Sequence, residues 1–160
     1  MKMTEADDTK TFQLEEYIPY LLHQAYLAGL TLFAPTLAEH GLSLQEWRVL
    51  AVLHDGRLMR FRDLATATGL EPPTLVRVVA KLEARSCLVR EKSGDDKRGT
   101  LISSTTEGQA ITNLAIPRAH QAQAQAIQDF SDDEAELLRR LLRRIPVNAS
   151  RRDTNSRTAT

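Results

Sequence analysis

One stretch of 48 residues, from Phe61 to Gly108, constrains the fold of this chain more than any other. It reads FRDLATATGLEPPTLVRVVAKLEARSCLVREKSGDDKRGTLISSTTEG. The pattern predicts a short helix, a turn at Gly69 and a second helix opened by Pro72, because glycine suits tight turns and proline suits the first turn of a helix. Two strand-like runs follow at 88–91 and 100–104, joined by a loop with four consecutive charged residues.

The order helix, turn, helix, charged hairpin is the layout of a winged helix-turn-helix, which places one helix in the major groove of DNA and a hairpin beside it. The distribution of charge favours this interpretation. The whole chain has zero net charge, but residues 57–104 carry +4, residues 1–56 carry −5 and residues 105–160 carry +1. Phosphate is attracted by a local positive patch rather than by a basic protein as a whole. We therefore expect double-stranded DNA as a partner.

Long helices are predicted on both sides of this module. Apolar residues recur at helical spacing from about 13 to 40, from 106 to about 129 and from 132 to 145. Pro35 and Pro117 are expected to bend or interrupt these helices, and Pro146 to end the last one. The apolar residues cover more than one face, so one face can pack on the core while the other requires a partner. We predict a homodimer formed through the terminal helices.

The predicted fold class is mainly α, an α+β winged helix-turn-helix with long terminal helices that form a dimerisation domain. We expect residues 1–12 to be a flexible N-terminus and residues 147–160 to be a disordered tail. Residues 13–42 and 105–146 form the helical dimerisation region in this prediction, and residues 43–104 form the DNA-binding region. Capping boxes at Ser43 and Ser131 mark the starts of two helices.

Several functions are argued against by what the sequence lacks. No apolar run is long enough to span a bilayer, the N-terminus has no signal-peptide core, and a single cysteine cannot form a disulfide framework. We therefore expect a cytoplasmic protein with no membrane partner. Phosphate-binding glycine loops, serine elbows and metal-binding helix motifs are absent, so neither an enzyme nor a metal or cofactor is expected. Cys87 is expected to be a buried, inert thiol.

Several short motifs, taken in order, resemble the MarR family of winged-helix transcription regulators over residues 13–146. These motifs are GLS at 41–43, WRVL at 47–50, DLA at 63–65, VAKLE at 79–83, DKR at 96–98 and TTEG at 105–108. The resemblance implies a dimeric repressor that binds a palindromic operator and is released by a small aromatic or phenolic ligand. The chain departs from the family pattern where Ser86 replaces glycine, Pro73 and Val76 replace small hydroxyl residues, and Thr106 replaces proline.

The candidate DNA contacts lie on the second helix and on the hairpin tip. Thr74, Arg77 and Lys81 face away from the predicted apolar stripe, and an arginine such as Arg77 can donate two hydrogen bonds to guanine. Arg98 is expected to enter the minor groove, with Asp96 orienting a neighbouring arginine. Further candidates at thymine methyl groups or phosphates are Pro73, Val76, Arg62, Arg85 and Lys97. The alternative for all these charges is a solvated surface.

For a small ligand, the resemblance implies a pocket between the DNA-binding module and the terminal helices. Tyr20, His23 and Trp47 are candidate aromatic walls, and Arg48 is a candidate cation for the carboxylate of an aromatic acid or its thioester. The alternatives are core packing for Trp47 and a position in the dimer interface or on the surface for His23. The alternative function is a protein–protein adaptor, since a winged helix can bind a protein by the same face and this one has few polar groups for reading bases.

Overall fold

The computed structural model describes residues 12–92 and 100–157. Its helices and strands in chain order are α1 (Ile18–Glu39), α2 (Leu44–Val52), β1 (Met59–Arg60), α3 (Phe61–Thr68), α4 (Pro72–Ala84), β2 (Leu88–Lys92), β3 (Thr100–Ser104), α5 (Thr106–Ala126) and α6 (Asp132–Arg157). Short 3-10 turns precede α1 and β1. The chain divides after Ala122 into two compact units. No helix of the described part combines the length and hydropathy that a bilayer span requires.

The first unit contains a winged helix-turn-helix, as predicted. Gly69, with φ 65°, makes the turn between α3 and α4. Strands β2 and β3 pair antiparallel, with Leu88 opposite Ser104 and Lys92 opposite Thr100. Strand β1 was not predicted, because two residues show no alternation; it pairs antiparallel with the other edge of β3. The fold class, mainly α with a small antiparallel sheet, is confirmed.

The core of the first unit lies among α2, α3, α4 and the sheet. Its most deeply buried side chains are Val49, Leu50, Leu53, Leu64, Leu75, Val79, Leu82 and Ile102. Burial of one such side chain contributes about 1.5–3 kcal/mol, so this cluster is the main source of stability. From α1, only Phe33 and Leu37 are buried. Earlier in α1, the apolar side chains of Ile18, Leu21, Tyr26 and Leu27 are exposed and form the uncovered face that the sequence predicted.

Helix α1 begins at Ile18, five residues after the expected start at Gln13. Pro19 accounts for the difference, because it has no N–H and its ring opposes the carbonyl group four residues before it. The chain instead forms a 3-10 turn over Leu14–Glu16 and then becomes extended at Tyr17.

Prolines inside α1, α5 and α6 end none of these helices. Pro35 and Pro117 lie within continuous helices, so the interruptions considered at these positions do not occur. Helix α6 continues through Pro146 to Arg157, and the predicted disordered tail is wrong for residues 147–157. An internal proline costs roughly 3 kcal/mol, but it removes a single donor and the neighbouring turns keep their own hydrogen bonds. Residues 1–11 and 158–160 of the predicted flexible ends lie outside the described residues.

Helix α4 ends in a Schellman motif that also starts the wing. The amide of Ser86 donates to the carbonyl of Glu83 at 2.8 Å, and the amide of Cys87 donates to that of Leu82 at 2.8 Å. Ser86 adopts φ 57°, the left-handed conformation that usually belongs to glycine in this motif. An L-residue pays about 1–2 kcal/mol for this conformation. Ser86, which replaces the glycine of the family pattern, therefore occupies a position that requires a positive φ.

Thr105 joins this helix end to the start of α5. Its hydroxyl group donates to the carbonyl of Ser86 at 2.6 Å, and its amide donates to the carbonyl of Cys87 at 3.1 Å. The same hydroxyl oxygen accepts from the amide of Gly108 at 3.1 Å and so caps α5. Gly108 is buried, and a Cβ atom there would overlap the carbonyl oxygen of Cys87 and the hydroxyl of Ser104. The Thr105-to-Gly108 motif is thus explained by close packing.

We predict that Gly108→Ala lowers the free energy of unfolding by about 1–3 kcal/mol, because the added methyl group must displace backbone atoms. Urea denaturation measures the change. Gly29→Ala is the matched control, since Gly29 is also helical and its added Cβ would meet no atom within 4 Å. That control should be neutral or gain about 0.5–1 kcal/mol. Unchanged stability of Gly108→Ala would contradict the packing described at this junction.

Candidate nucleic-acid interface

Helix α4 has two faces of opposite character. Its inward face buries the apolar stripe that the sequence predicted, namely Leu75, Val78, Val79 and Leu82. On the outward side, Pro73, Val76, Arg77 and Lys81 are exposed and Thr74 is half-buried. The structure therefore places all five predicted α4 contacts on the surface that is free of the core.

The start of α4 is formed by two consecutive prolines. Glu71 is the N-cap residue, with extended backbone and no capping hydrogen bond from its side chain. Pro72 and Pro73 have no N–H, so Thr74 alone among the first three helical residues has a backbone donor. The amide of Leu75 already donates to the carbonyl of Glu71 at 3.0 Å. Any contact between this end of α4 and a nucleic acid therefore depends largely on side chains rather than on backbone N–H groups.

Three of the predicted contacts share one open groove between α4 and the start of α2. The groove is lined by Thr74, Arg77, Val78 and Lys81 from α4 and by Ser43, Gln45 and Glu46 from α2. Spacings of three and four residues bring Thr74, Arg77 and Lys81 onto one side of the helix. Gln45 was not identified from the sequence, because its position inside a capping box indicated only a helix start.

Glu46 is a buried carboxylate at the base of this groove. It closes the predicted capping box: the amide of Ser43 donates to its Oε2 at 2.7 Å, and its own amide donates to the Ser43 hydroxyl at 3.2 Å. Burial acts to raise the pKa of Glu46. The hydrogen bonds from Ser43 and the positive charges of Lys81 and Arg85 outweigh burial and hold that pKa below its usual value. An ionised Glu46 thus lies beneath the cationic face of α4.

Arg85 has a structural partner rather than a free position for phosphate. Its Nη1 donates to the carbonyl of Gly41 at 2.9 Å, and its Nη2 donates to the carbonyl of His40 at 3.1 Å. These carbonyl groups belong to the C-terminal end of α1, where a positive charge is favourable. Arg85 therefore caps α1 and links it to the end of α4.

The remaining predicted DNA contacts lie apart from the groove or outside the described residues. Arg62 is exposed on the first turn of α3 and lines a second open groove with the turn that leads into α4. Asp96, Lys97 and Arg98 belong to residues 93–99, which the structure does not describe. The base of the wing is tied to α4 by an ion pair between Arg90 and Glu83, with Nε and Oε1 2.8 Å apart.

The four residues predicted for a ligand pocket do not meet within one chain. Trp47 is half-buried and packs edge-on against Phe33, with ring centroids 5.1 Å apart. Tyr20 and His23 precede Phe33 on α1 by 13 and 10 residues, which corresponds to about 20 and 15 Å of helix. Arg48 is half-buried next to Trp47, and His23 is exposed.

An open apolar cleft lies on α1 between Tyr20 and His23 at one end and Trp47 and Arg48 at the other. It is lined by Ala25, Tyr26, Gly29, Leu30, Phe33 and Leu44. The cleft reaches Trp47 through Phe33 at one end, and His23 lies one helical turn before Tyr26 at the other. Helical spacing in the sequence places Ala25, Tyr26, Leu30 and Phe33 on apolar faces of α1. It does not show their grouping with Leu44, because that depends on how α1 and α2 pack.

Cys87 is buried, as predicted. Burial raises the pKa of its thiol above the usual value, so the thiol is protonated at neutral pH. Among residues 12–91 and 100–149, no three His, Cys, Asp or Glu side chains are grouped closely enough to hold a metal ion.

We predict that Glu46→Gln lowers the free energy of unfolding at pH 7 by roughly 1 kcal/mol, the usual contribution of a cap. Because the folded-state pKa of Glu46 is depressed, its contribution is present above the unfolded value of 4.5 and is lost as pH falls through the folded value. The difference between wild type and variant should therefore shrink below about pH 4 in denaturation series. Glu39→Gln, at an exposed position on α1, is the control. A difference that stays constant from pH 7 to pH 3 would contradict the assignment.

Comparison with known proteins agrees with this geometry. The family model described as MarR family matches residues 40–99. The homoprotocatechuate degradative operon repressor of Escherichia coli is 30% identical over 129 residues, which cover 81% of this chain and 87% of the repressor.

Solved structures give the same result. The chain resembles Bordetella bronchiseptica BpsR, whose DNA binding is regulated by 6-hydroxynicotinic acid, with TM-score 0.77 and 25% identity over 84% of this chain and 96% of that one. It also resembles Rhodococcus jostii CouR bound to p-coumaroyl-CoA, with TM-score 0.75 and 28% identity over 83% and 94%. The chain therefore belongs to the MarR family of winged-helix transcriptional regulators.

Proposed function

We propose that the protein is a ligand-responsive repressor that binds a palindromic operator as a homodimer. The observation that carries the proposal is the outward face of α4, where Thr74, Arg77 and Lys81 line one groove. This face belongs to the segment 57–104, whose net charge is +4. A helix that follows a helix-turn is the element that enters the major groove, and a basic surface provides the attraction to phosphate.

The α4 side chains divide by chemistry into two kinds of contact. Arg77 is proposed to donate two hydrogen bonds to a guanine, and the apolar Pro73 and Val76 are proposed to touch thymine methyl groups. Thr74 and Lys81, which line the same groove as Arg77, are proposed to reach the phosphates that border the major groove, as is Arg62 on α3. Arg98 and Lys97, with Asp96 as an orienting partner, are proposed as wing contacts on the strength of the sequence.

The proposed dimer rests on apolar surface at both ends of the chain. Ile18, Leu21, Tyr26 and Leu27 of α1 are exposed, as are the leucines of α6. Long runs of exposed apolar side chains at helical spacing indicate a protein interface. A two-fold axis would present two α4 helices at successive major grooves, about 34–36 Å apart, which matches a palindromic operator. Residues 13–42 and 105–146 are the proposed dimerisation region, and residues 43–104 the proposed DNA-binding region.

We predict that Arg77→Ala weakens binding to the operator by tenfold or more and relaxes the preference for one base pair, since a bidentate contact to guanine contributes about 1–3 kcal/mol of discrimination. Fluorescence anisotropy with a labelled duplex from the protein's own upstream region measures the affinity at fixed salt. Arg118→Ala, at an exposed arginine of α5, should bind like wild type. Equal affinity of Arg77→Ala and wild type would remove Arg77 from the interface.

The same titration separates a DNA reader from a protein–protein adaptor. A DNA-binding protein prefers its operator over a scrambled duplex. Its affinity also falls steeply as the salt concentration rises, because the release of counterions from DNA then contributes less free energy. An adaptor shows neither behaviour. Failure of the wild-type protein to discriminate between the two duplexes would overturn the proposed function.

The proposed effector is an aromatic acid or its thioester, bound in the apolar cleft of α1 and α2. The cleft provides aromatic and aliphatic walls through Tyr26, Leu30 and Phe33. Trp47 borders it through Phe33, and Arg48 is the proposed partner of the carboxylate. BpsR and CouR respond to or bind aromatic compounds, and NadR has been crystallised with 4-hydroxyphenylacetate. Tyr20 and His23 remain candidate wall residues through a second copy of the chain.

We predict that 4-hydroxyphenylacetate raises the melting temperature of the protein, because a ligand that binds only the folded state stabilises it. Arg48→Gln should weaken this binding by about tenfold, the loss expected for one charge-assisted hydrogen bond. Two controls test whether Arg48 binds the carboxylate of the ligand. Arg57→Gln, which removes a different arginine, should respond to 4-hydroxyphenylacetate like wild type. The uncharged 4-hydroxyphenylacetamide should bind wild type and Arg48→Gln equally weakly. No melting shift with any phenolic acid would argue against this effector class.

A further inference from the structure

Helix α6 combines an apolar stripe with charges that are separated by sign. Its first turn carries Asp132, Asp133 and Glu134. The segment 137–150 contains no acidic residue and four arginines, which are Arg139, Arg140, Arg143 and Arg144. On its apolar side, Leu137, Leu138, Leu141, Leu142 and Ile145 are each 37–44% exposed. One end of the helix is therefore acidic and the next three turns are basic, along an uncovered apolar stripe.

The charged residues occupy two different positions around this helix. At about 100° per residue, the five apolar residues form a stripe roughly 140° wide. Asp133, Arg140 and Arg144 fall along one edge of the stripe. Asp132 and Arg143 project from the opposite side of the helix. Only the first set can reach across an interface formed by the stripe.

We propose that α6 pairs antiparallel with α6 of a second copy, so that the acidic first turn of each helix lies against the arginines of the other. The proposal rests on the homodimer described above and adds the direction and register of one helix pair within it. A two-fold interface uses the same patch on both copies, so the patch must complement itself. A parallel two-fold pair would place this edge of the two helices on opposite flanks of the interface, so that Asp133 could not meet the partner's Arg144. The antiparallel pair places opposite charges together.

The register follows from the leucines. A pair centred between Leu138 and Leu141 places Leu138 of one copy opposite the partner's Leu141 and brings Asp133 within one helical turn of the partner's Arg144. Glu136 is already engaged within its own chain, where its Oε2 lies 3.2 Å from Nη1 of Arg139. Glu134 falls within the stripe, but its carboxylate caps its own helix, where Oε2 accepts from the amide of Ser131 at 2.8 Å. Asp133 is therefore the carboxylate that complements the partner. Each two-fold pair contains this contact twice.

Charge reversal tests this arrangement. Asp133→Arg and Arg144→Glu should each raise the dimer dissociation constant by about tenfold at low salt, because two attractive contacts become repulsive. The double variant Asp133→Arg/Arg144→Glu exchanges the partners and should recover to within about threefold of wild type. Sedimentation equilibrium gives the dissociation constants, and circular dichroism verifies that each variant keeps its helical content.

Matched controls come from the other side of the same helix. Asp132→Arg changes the charge at the helix start as Asp133→Arg does, and Arg143→Glu matches Arg144→Glu, but both point away from the stripe. These controls should leave the dimer within about threefold of wild type. A double variant that is no tighter than the single variants, or controls that weaken the dimer equally, would overturn the antiparallel pairing while leaving a dimer in place. A wild-type protein that is monomeric at micromolar concentration would instead overturn the proposed homodimer.

Discussion

The backbone carbonyl groups of Ser86 and Cys87 organise the winged module. They accept hydrogen bonds from the hydroxyl group and the amide of Thr105, and the missing side chain of Gly108 allows α5 to approach them closely. The same two residues terminate α4 and begin the wing. The end of α4, the base of the hairpin and the start of α5 therefore meet at one short segment. Its left-handed residue is the cost of turning the chain so sharply.

Arg85, immediately before this segment, brings a third helix, α1, to the same place. By donating to the carbonyl groups of His40 and Gly41, its guanidinium attaches the end of α1 to the end of α4. Helix α1 also provides most of the apolar cleft proposed for an effector. Helix α1 and Arg85 thus connect the proposed effector cleft to the end of α4, and packed contacts of this kind carry coupling between distant sites.

Much of the fold was predictable because its boundaries are set by local chemistry. Ser43, Gly69, Thr105 and Ser131 each act within a few residues of their own position, and the structure finds each of them in its predicted role. The exposed face of α4 followed from its buried stripe in the same way. The contacts that could not be predicted from the sequence are those between residues far apart along the chain. Arg85 contacts residues more than 40 positions away, and Gln45 reaches the groove only through the packing of α2 against α4.

The wrong prediction at Pro146 and the separation of the proposed ligand residues along α1 have a related physical cause. Pro146 was expected to end a helix because proline is unfavourable inside one, yet a single local penalty does not decide the state of a long segment. The proposed ligand residues were grouped by chemistry, but Tyr20 and His23 are separated from Phe33 by several turns of a rigid helix. Distances along an element are fixed by its geometry, so residue type alone could not show which side chains meet.

The paired prolines at the start of α4 have a consequence for how tightly DNA can be held. Because Pro72 and Pro73 lock their own backbone angles, the first turn of the helix is already ordered in the free protein. Association then immobilises few additional backbone torsions, and less of the interaction energy is lost to entropy. In the proposed complex with DNA, this rigidity of α4 would offset the small number of polar groups on its exposed face.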